Sequence, residues 1–109
     1  MKTGSILLVP FPFAEFTDRK VRPCVLICQT KDKYSDLVIA AISSVVPKQL
    51  TDNEILLQPS AENGLRKVSV IKMDRIVTMK REDLIAHIGE LENSDLTAFK
   101  QKFKALVDR

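Results

Sequence analysis

A change of period constrains this chain more than any other feature. Up to Met79 its apolar residues come in short runs bounded by turn formers, and only from Ser94 onward do they recur at clear helical spacing. Ser5-Ile6-Leu7-Leu8-Val9 is a compact apolar run that ends at Pro10, and Phe11-Pro12-Phe13 follows. Two prolines so close together cannot both sit inside a central ladder, so this stretch reads as an edge or a bend. Glu15 to Val21, with Thr17, Asp18, Arg19 and Lys20, reads as a polar, basic loop tip. Further strands are expected at Arg22 to Cys28, Asp36 to Ser43 and Asn53 to Leu57, with a turn at Gly64. Lys67 to Asp74 alternates only imperfectly, Ile76 to Met79 extends the β character, and Leu84, Ile85 and Ile88 fit helix or strand equally well. Leu96, Phe99, Phe103, Leu106 and Val107 then recur at spacings of 3, 4, 3 and 1, which is one face of an amphipathic helix. Ser94 suits its N-cap and Asp95 its first turn. Many short strands closed by one helix predict a mainly β fold, a small and strongly bent sheet or barrel capped by that helix. A single domain over 1–109 is expected, with the barrel at about 4–91 and the helix at about 94–108.

A chain of 109 residues, 45% apolar and 28% charged, hides enough surface on folding to hold a core without disulfide or metal staples. Its net charge of +3 permits a polyanionic partner without demanding one. No apolar run approaches the roughly 20 residues of a membrane span. Met1-Lys2-Thr3-Gly4 leads straight into a strand-like run without a secretory leader pattern, so a soluble, cytoplasmic protein with no membrane partner is expected. Cys24 and Cys28 on one strand would lie roughly 13 Å apart, too far for a disulfide. Both read as small buried thiols in a reducing compartment. C-x-x-x-C with one histidine is the wrong ligand set for zinc, and no metal site is expected.

The motif inventory excludes more chemistry than it supplies. There is no G-x-S-x-G elbow, no H-E-x-x-H and no phosphate-cradling glycine loop, and three glycines could not build one. His87, between Ala86 and Ile88, reads as a structural or surface histidine. What remains is arginines, hydroxyls and carboxylates near strand ends, a set better suited to a phosphodiester than to an amide. Guanidinium matches phosphate oxygens bidentately and stays charged at any working pH. On RNA the substrate's own 2′-OH can be the nucleophile, so the protein need only activate, position and stabilise. Composition permits this chemistry but does not argue for it.

Five blocks in order carry a resemblance. Gly4-Ser5-Ile6-Leu7-Leu8-Val9-Pro10-Phe11-Pro12-Phe13 and then Arg22-Pro23-Cys24-Val25-Leu26-Ile27 resemble the opening strands of the PemK/MazF family of toxin ribonucleases. Members typically begin with G-x-[IV], often run into P-F-P-F, and place an R-P pair at the head of the second strand. Leu37 to Ser44 looks like the family's third strand, which commonly ends in I-T-S. Gly64-Leu65-Arg66-Lys67-Val68-Ser69-Val70-Ile71-Lys72-Met73-Asp74 looks like its G-L-x-K-x-S-x-[VI]-[RK]-x-D block, and Ile88-Gly89-Glu90-Leu91 before the terminal helix also fits. The resemblance implies an SH3-like, strongly bent β-barrel of the PemK/MazF/CcdB toxin type with a C-terminal helix. It further implies a homodimer and cofactor-free, metal-independent cleavage of single-stranded RNA to a 2′,3′-cyclic phosphate and a 5′-hydroxyl. The implied partner is a small, usually acidic, partly disordered antitoxin, and operator DNA would be met only through it.

Carried over residue by residue, Arg22 matches the R-P arginine that binds and polarises the scissile phosphate and could act as acid, against the alternative of a solvated arginine at a strand start. Ser43 stands where members usually place threonine; it keeps the hydroxyl, and its alternative is a strand-end serine bonding backbone. Lys72 and Asp74 match a basic-x-acid pair. Two apart on a strand they would share a face, either as acid and base or as a structural salt bridge. Glu15 is another candidate base. Arg19, Lys20 and Lys48 are candidate phosphate contacts, with solvated loop charge as the alternative. Ser44 is expected to assist Ser43, and Arg66 and Lys67 could also touch phosphate. Phe11 and Phe13 could stack on bases. One in the core and one at the rim, Phe13 on RNA, is the reading adopted. The rival to catalysis is a non-catalytic binding protein on the same fold, either a gyrase-binding toxin or a weakened relative that holds RNA or antitoxin.

Overall fold

The computed structural model describes residues 1–12 and 19–108, so Phe13 and Glu15 lie outside the described residues. Among the described residues, six strands form one sheet: β1 (Ser5–Pro12), β2 (Arg19–Gln29), β3 (Leu37–Ser43), β4 (Glu54–Leu57), β5 (Ser69–Met79) and β6 (Ala86–Glu90). A short 3-10 turn at Arg81–Asp83 leads into β6, and α1 (Asn93–Leu106) follows it. The strand order is β4-β5-β3-β2-β1-β6, and every neighbouring pair is antiparallel.

Both prolines of the first block stay inside β1. They are tolerated because β6 pairs with β1 only over Ser5–Leu8, whereas Pro10 and Pro12 face β2 alone. β2 starts at Arg19, so Arg19, Lys20 and Val21 belong to a strand and not to the loop tip expected from their polarity. The imperfect alternation of 67–79 has a physical cause. β5 is one strand whose register with β3 jumps from Ala41↔Lys72 to Ala40↔Ile76, leaving Met73, Asp74 and Arg75 as a bulge. A second irregularity, between Leu26 and Cys28, turns the two thiols to different faces. Cys24 is buried, and burial pushes its thiol up to about 12. Cys28 is exposed, against the expectation of two buried cysteines.

The two sheet faces carry separate apolar clusters. Ile6, Val25, Ala40, Ile42, Ile55, Leu57, Ile71 and Met73 pack on one side beneath Phe99 of α1. Leu7, Val9, Phe11, Cys24, Leu26, Ile39 and Met79 pack on the other, so Phe11 is a core residue. The helix begins at Asn93, with Glu92 at the N-cap and no side-chain cap bond; Ser94 therefore lies inside the first turn and does not cap it. Asp95 is in that turn, as expected.

The sheet curls into a half-barrel, and the loop after β4 meets β6 across the gap. Glu90 N–H donates to Glu62 C=O at 2.9 Å. Gly64, at φ +70°, and Gly89 make this contact feasible. A Cβ on Gly64 would stand 2.2 Å from Ile88 O, and one on Gly89 would stand 2.4 Å from Glu62 O.

Candidate active site

Cross-strand partners point to the same side of a sheet, so register tells which predicted residues share a surface. One row runs Glu54↔Lys72, Lys72↔Ala41 and Ala41↔Cys24 across β4, β5, β3 and β2. The next row runs Leu56↔Val70 and Val70↔Ser43. Continuing the β2–β3 register two residues past Cys24↔Ala41 brings Arg22 level with Ser43. Arg22, Ser43 and Lys72 thus belong to one face. Lys72 is one row from Ser43 on the adjacent strand, a diagonal spacing of about 7–8 Å that long side chains bridge.

Each of these side chains has a particular local setting. Arg22 sits half-buried opposite Val9 and is not isolated. Ser43 Oγ accepts the Val45 N–H at 3.1 Å, so the backbone bond expected as its alternative is present. Accepting that bond leaves the hydroxyl hydrogen for a phosphate oxygen. Ser44 and Lys48 are exposed just beyond β3, and Lys20 is exposed on β2 opposite Phe11. Arg19 pairs with Pro12 at the start of β2. Arg66 and Lys67 are exposed in the turn before β5.

The expected Lys72–Asp74 pair is separated by the bulge. Lys72 Nζ lies 2.5 Å from Glu54 Oε2. Asp74 is exposed and accepts from Asn53 Nδ2 at 3.3 Å. Lys72 therefore does form an ion pair, but with the strand across from it. Sequence reasoning passed over Glu54 altogether. Its signal was the alternation Glu54-Ile55-Leu56-Leu57, in which Ile55 and Leu57 take the core side and leave Glu54 on the other. The Lys72 hydrogen bond first, and the Thr51 N–H second, hold the Glu54 carboxyl below its usual range. His87 is exposed on β6 with Nε2 2.5 Å from Glu90 Oε2. Among the described residues, no three His, Cys, Asp or Glu side chains are grouped so as to hold a metal ion.

A family model for PemK-like, MazF-like toxins of type II toxin-antitoxin systems matches residues 2–107. The chain belongs to that family. No curated protein sequence matches the chain. Solved structures agree on the fold of this PemK-like toxin. An endoribonuclease in complex with its cognate antitoxin, from a mycobacterial species, superposes with a TM-score of 0.74 at 12% identity, covering 99% of this chain and 95% of that one. The Mycobacterium tuberculosis toxin MazF-mt6 gives 0.68 at 22% identity, with 95% and 96% covered. Among the described residues of the PemK-like chain, no helix is long and apolar enough to cross a membrane.

Proposed function

We propose that this toxin is a sequence-selective endoribonuclease that cleaves single-stranded RNA without a metal ion. The observation that carries the reading is the β2–β3 register, which, continued past Cys24↔Ala41, sets Arg22 level with Ser43 on one sheet face, with Lys72 one row away. The endoribonuclease of similar fold found in complex with its cognate antitoxin supports it. In the proposed reaction the substrate 2′-oxygen attacks the adjacent phosphorus and the O5′ bond breaks. The 2′-OH proton passes to a carboxylate base, and O5′ takes a proton from Arg22, the proposed acid, as it leaves. Arg22 binds and polarises the phosphate, and Ser43 donates to a non-bridging oxygen. Glu15 and Asp74 are the carboxylates proposed for proton transfer. Lys20, Arg19, Lys48, Ser44 and Phe13 are proposed to hold the flanking nucleotides.

The toxin is proposed to act in the cytoplasm as a homodimer and to be silenced by an acidic antitoxin. One of its structural neighbours is held in complex with a cognate antitoxin. Exposed Val45, Val46, Leu56 and Val68 near the Ser43 end support a contact between copies there.

The test compares wild type with Arg22→Ala on a long single-stranded RNA in EDTA, with product ends mapped. Discrete cuts bearing cyclic phosphates, absent from the folded variant, are expected. A folded wild type that leaves RNA intact would return the fold to a binding role, and gyrase and antitoxin binding would then be measured. Cleavage abolished by EDTA and restored by magnesium would overturn the metal-free route.

A further inference from the structure

Glu54 is the one charged side chain in the buried set among the described residues, at 7% exposure. A carboxylate is costly to bury, and an apolar residue opposite Lys72 would serve an edge strand at least as well. Both of its oxygens are committed: Oε1 accepts the Thr51 N–H at 2.8 Å and Oε2 accepts from Lys72 Nζ. The ammonium it holds keeps about a quarter of its side chain exposed. It has three donors and spends one on Glu54.

We infer that Glu54 is a positioning residue: it holds the Lys72 ammonium in place on the face of Arg22 and Ser43, where Lys72 binds an RNA phosphate. This inference rests on the ribonuclease reading. An unrestrained lysine must give up its rotamer freedom when it meets phosphate, as exposed Lys20 and Lys48 would. Glu54 removes that freedom before RNA arrives, so less is lost on binding. The pair also has a distinctive electrostatic consequence. Together Glu54 and Lys72 are nearly neutral at a distance, so Glu54 does nothing to draw RNA in and acts only on the geometry at contact.

Glu54→Gln therefore separates binding from turnover. It keeps the shape and leaves Lys72 at full charge, so the charge released offsets the rotamer freedom regained, and affinity for an uncleavable 2′-O-methyl RNA should stay within a few-fold of wild type. Turnover per folded enzyme should fall by about ten- to a hundredfold, the scale of a misplaced contact. Lys72→Met alone would strand a buried carboxylate, so the second variant is Glu54→Gln with Lys72→Met, which removes both charges. If Glu54 acts through Lys72, a third variant, Glu54→Ala with Lys72→Met, should turn over at the same rate as that double variant. Glu54→Gln that cleaves at the wild-type rate and only melts earlier would overturn the inference and leave the ribonuclease reading intact. A difference between the two Lys72→Met variants would overturn it as well. A folded wild type that does not cleave RNA would overturn both.

Discussion

Ser43 carries two demands on one oxygen. Its Oγ accepts the Val45 N–H, and in the proposed reaction its hydrogen goes to phosphate. Ser43→Ala removes both, but Val45 is exposed and its N–H can turn to water, so stability should barely change. Turnover should fall by about 10²–10³, the usual loss of one donor aimed at developing negative charge. Ser43→Thr should stay near wild type, because it keeps the hydroxyl and restricts its rotation. Single-turnover cleavage rates of the three proteins check this.

Glu54 yields a prediction of a different kind. Its folded carboxyl titrates below its ordinary value of 4.5, through the Lys72 bond first and the Thr51 N–H next. A depressed pKa contributes stability that is complete above the unfolded value and disappears as pH falls through the folded one. Wild type should therefore outlast Glu54→Gln in urea at pH 7, and the gap should close as the pH drops below about 4.5. Urea midpoints measured from pH 7 down to 3 would show it, and a gap that widened in acid would reverse the sign.

Among the elements, the loop after β4 does the most with the fewest residues. Asn63 is fully buried; its Oδ1 accepts from Ser60 N–H at 3.0 Å and Leu65 N–H at 2.9 Å, and its Nδ2 donates to Gln58 C=O at 2.8 Å. Asn63→Ala would leave three backbone groups without those partners, at about 1 kcal/mol each, or about 3 kcal/mol in all. Chemical denaturation measures that loss directly. Little of this loop was legible beforehand. Gly64 announced a turn, but nothing local said that the turn would bridge the gap of the half-barrel to Gly89, because that contact joins residues distant in sequence. Strands β1, β3 and β4 and the terminal helix were legible from runs and period, since those signals are local. The bulge in β5 was not. It broke the two-residue rule that placed Lys72 beside Asp74, and so concealed the partner across the sheet, Glu54. Arg22 and Ser43 were found through the family blocks; only the register of β2 on β3, continued two residues past Cys24↔Ala41, sets them level.

At the scale of the whole molecule, exposed apolar side chains gather where the site ends. Leu56 faces Val70, which faces Ser43, and Val45 and Val68 lie just beyond those strand ends. Leu56→Asp should therefore shift the proposed dimer to monomer by light scattering without unfolding the chain, because Leu56 lies away from the Ile55–Leu57 core face. The net charge of +3 sets the other global expectation. So small a surplus produces little long-range attraction for RNA, and binding must come from a few cations at contact. Arg22, Lys20 and Lys48 are the three proposed to set the salt dependence, since Glu54 already balances Lys72. Each phosphate neutralised on a single strand adds about −0.7 to the slope of log K against log salt, so three predict a slope of about −2 per bound strand. Titration of 2′-O-methyl RNA from low to high salt measures it. A slope near zero would mean that stacking and shape hold the RNA, whereas a slope twice as steep would bring in cations beyond these three, with Arg19, Arg66 and Lys67 the first to substitute.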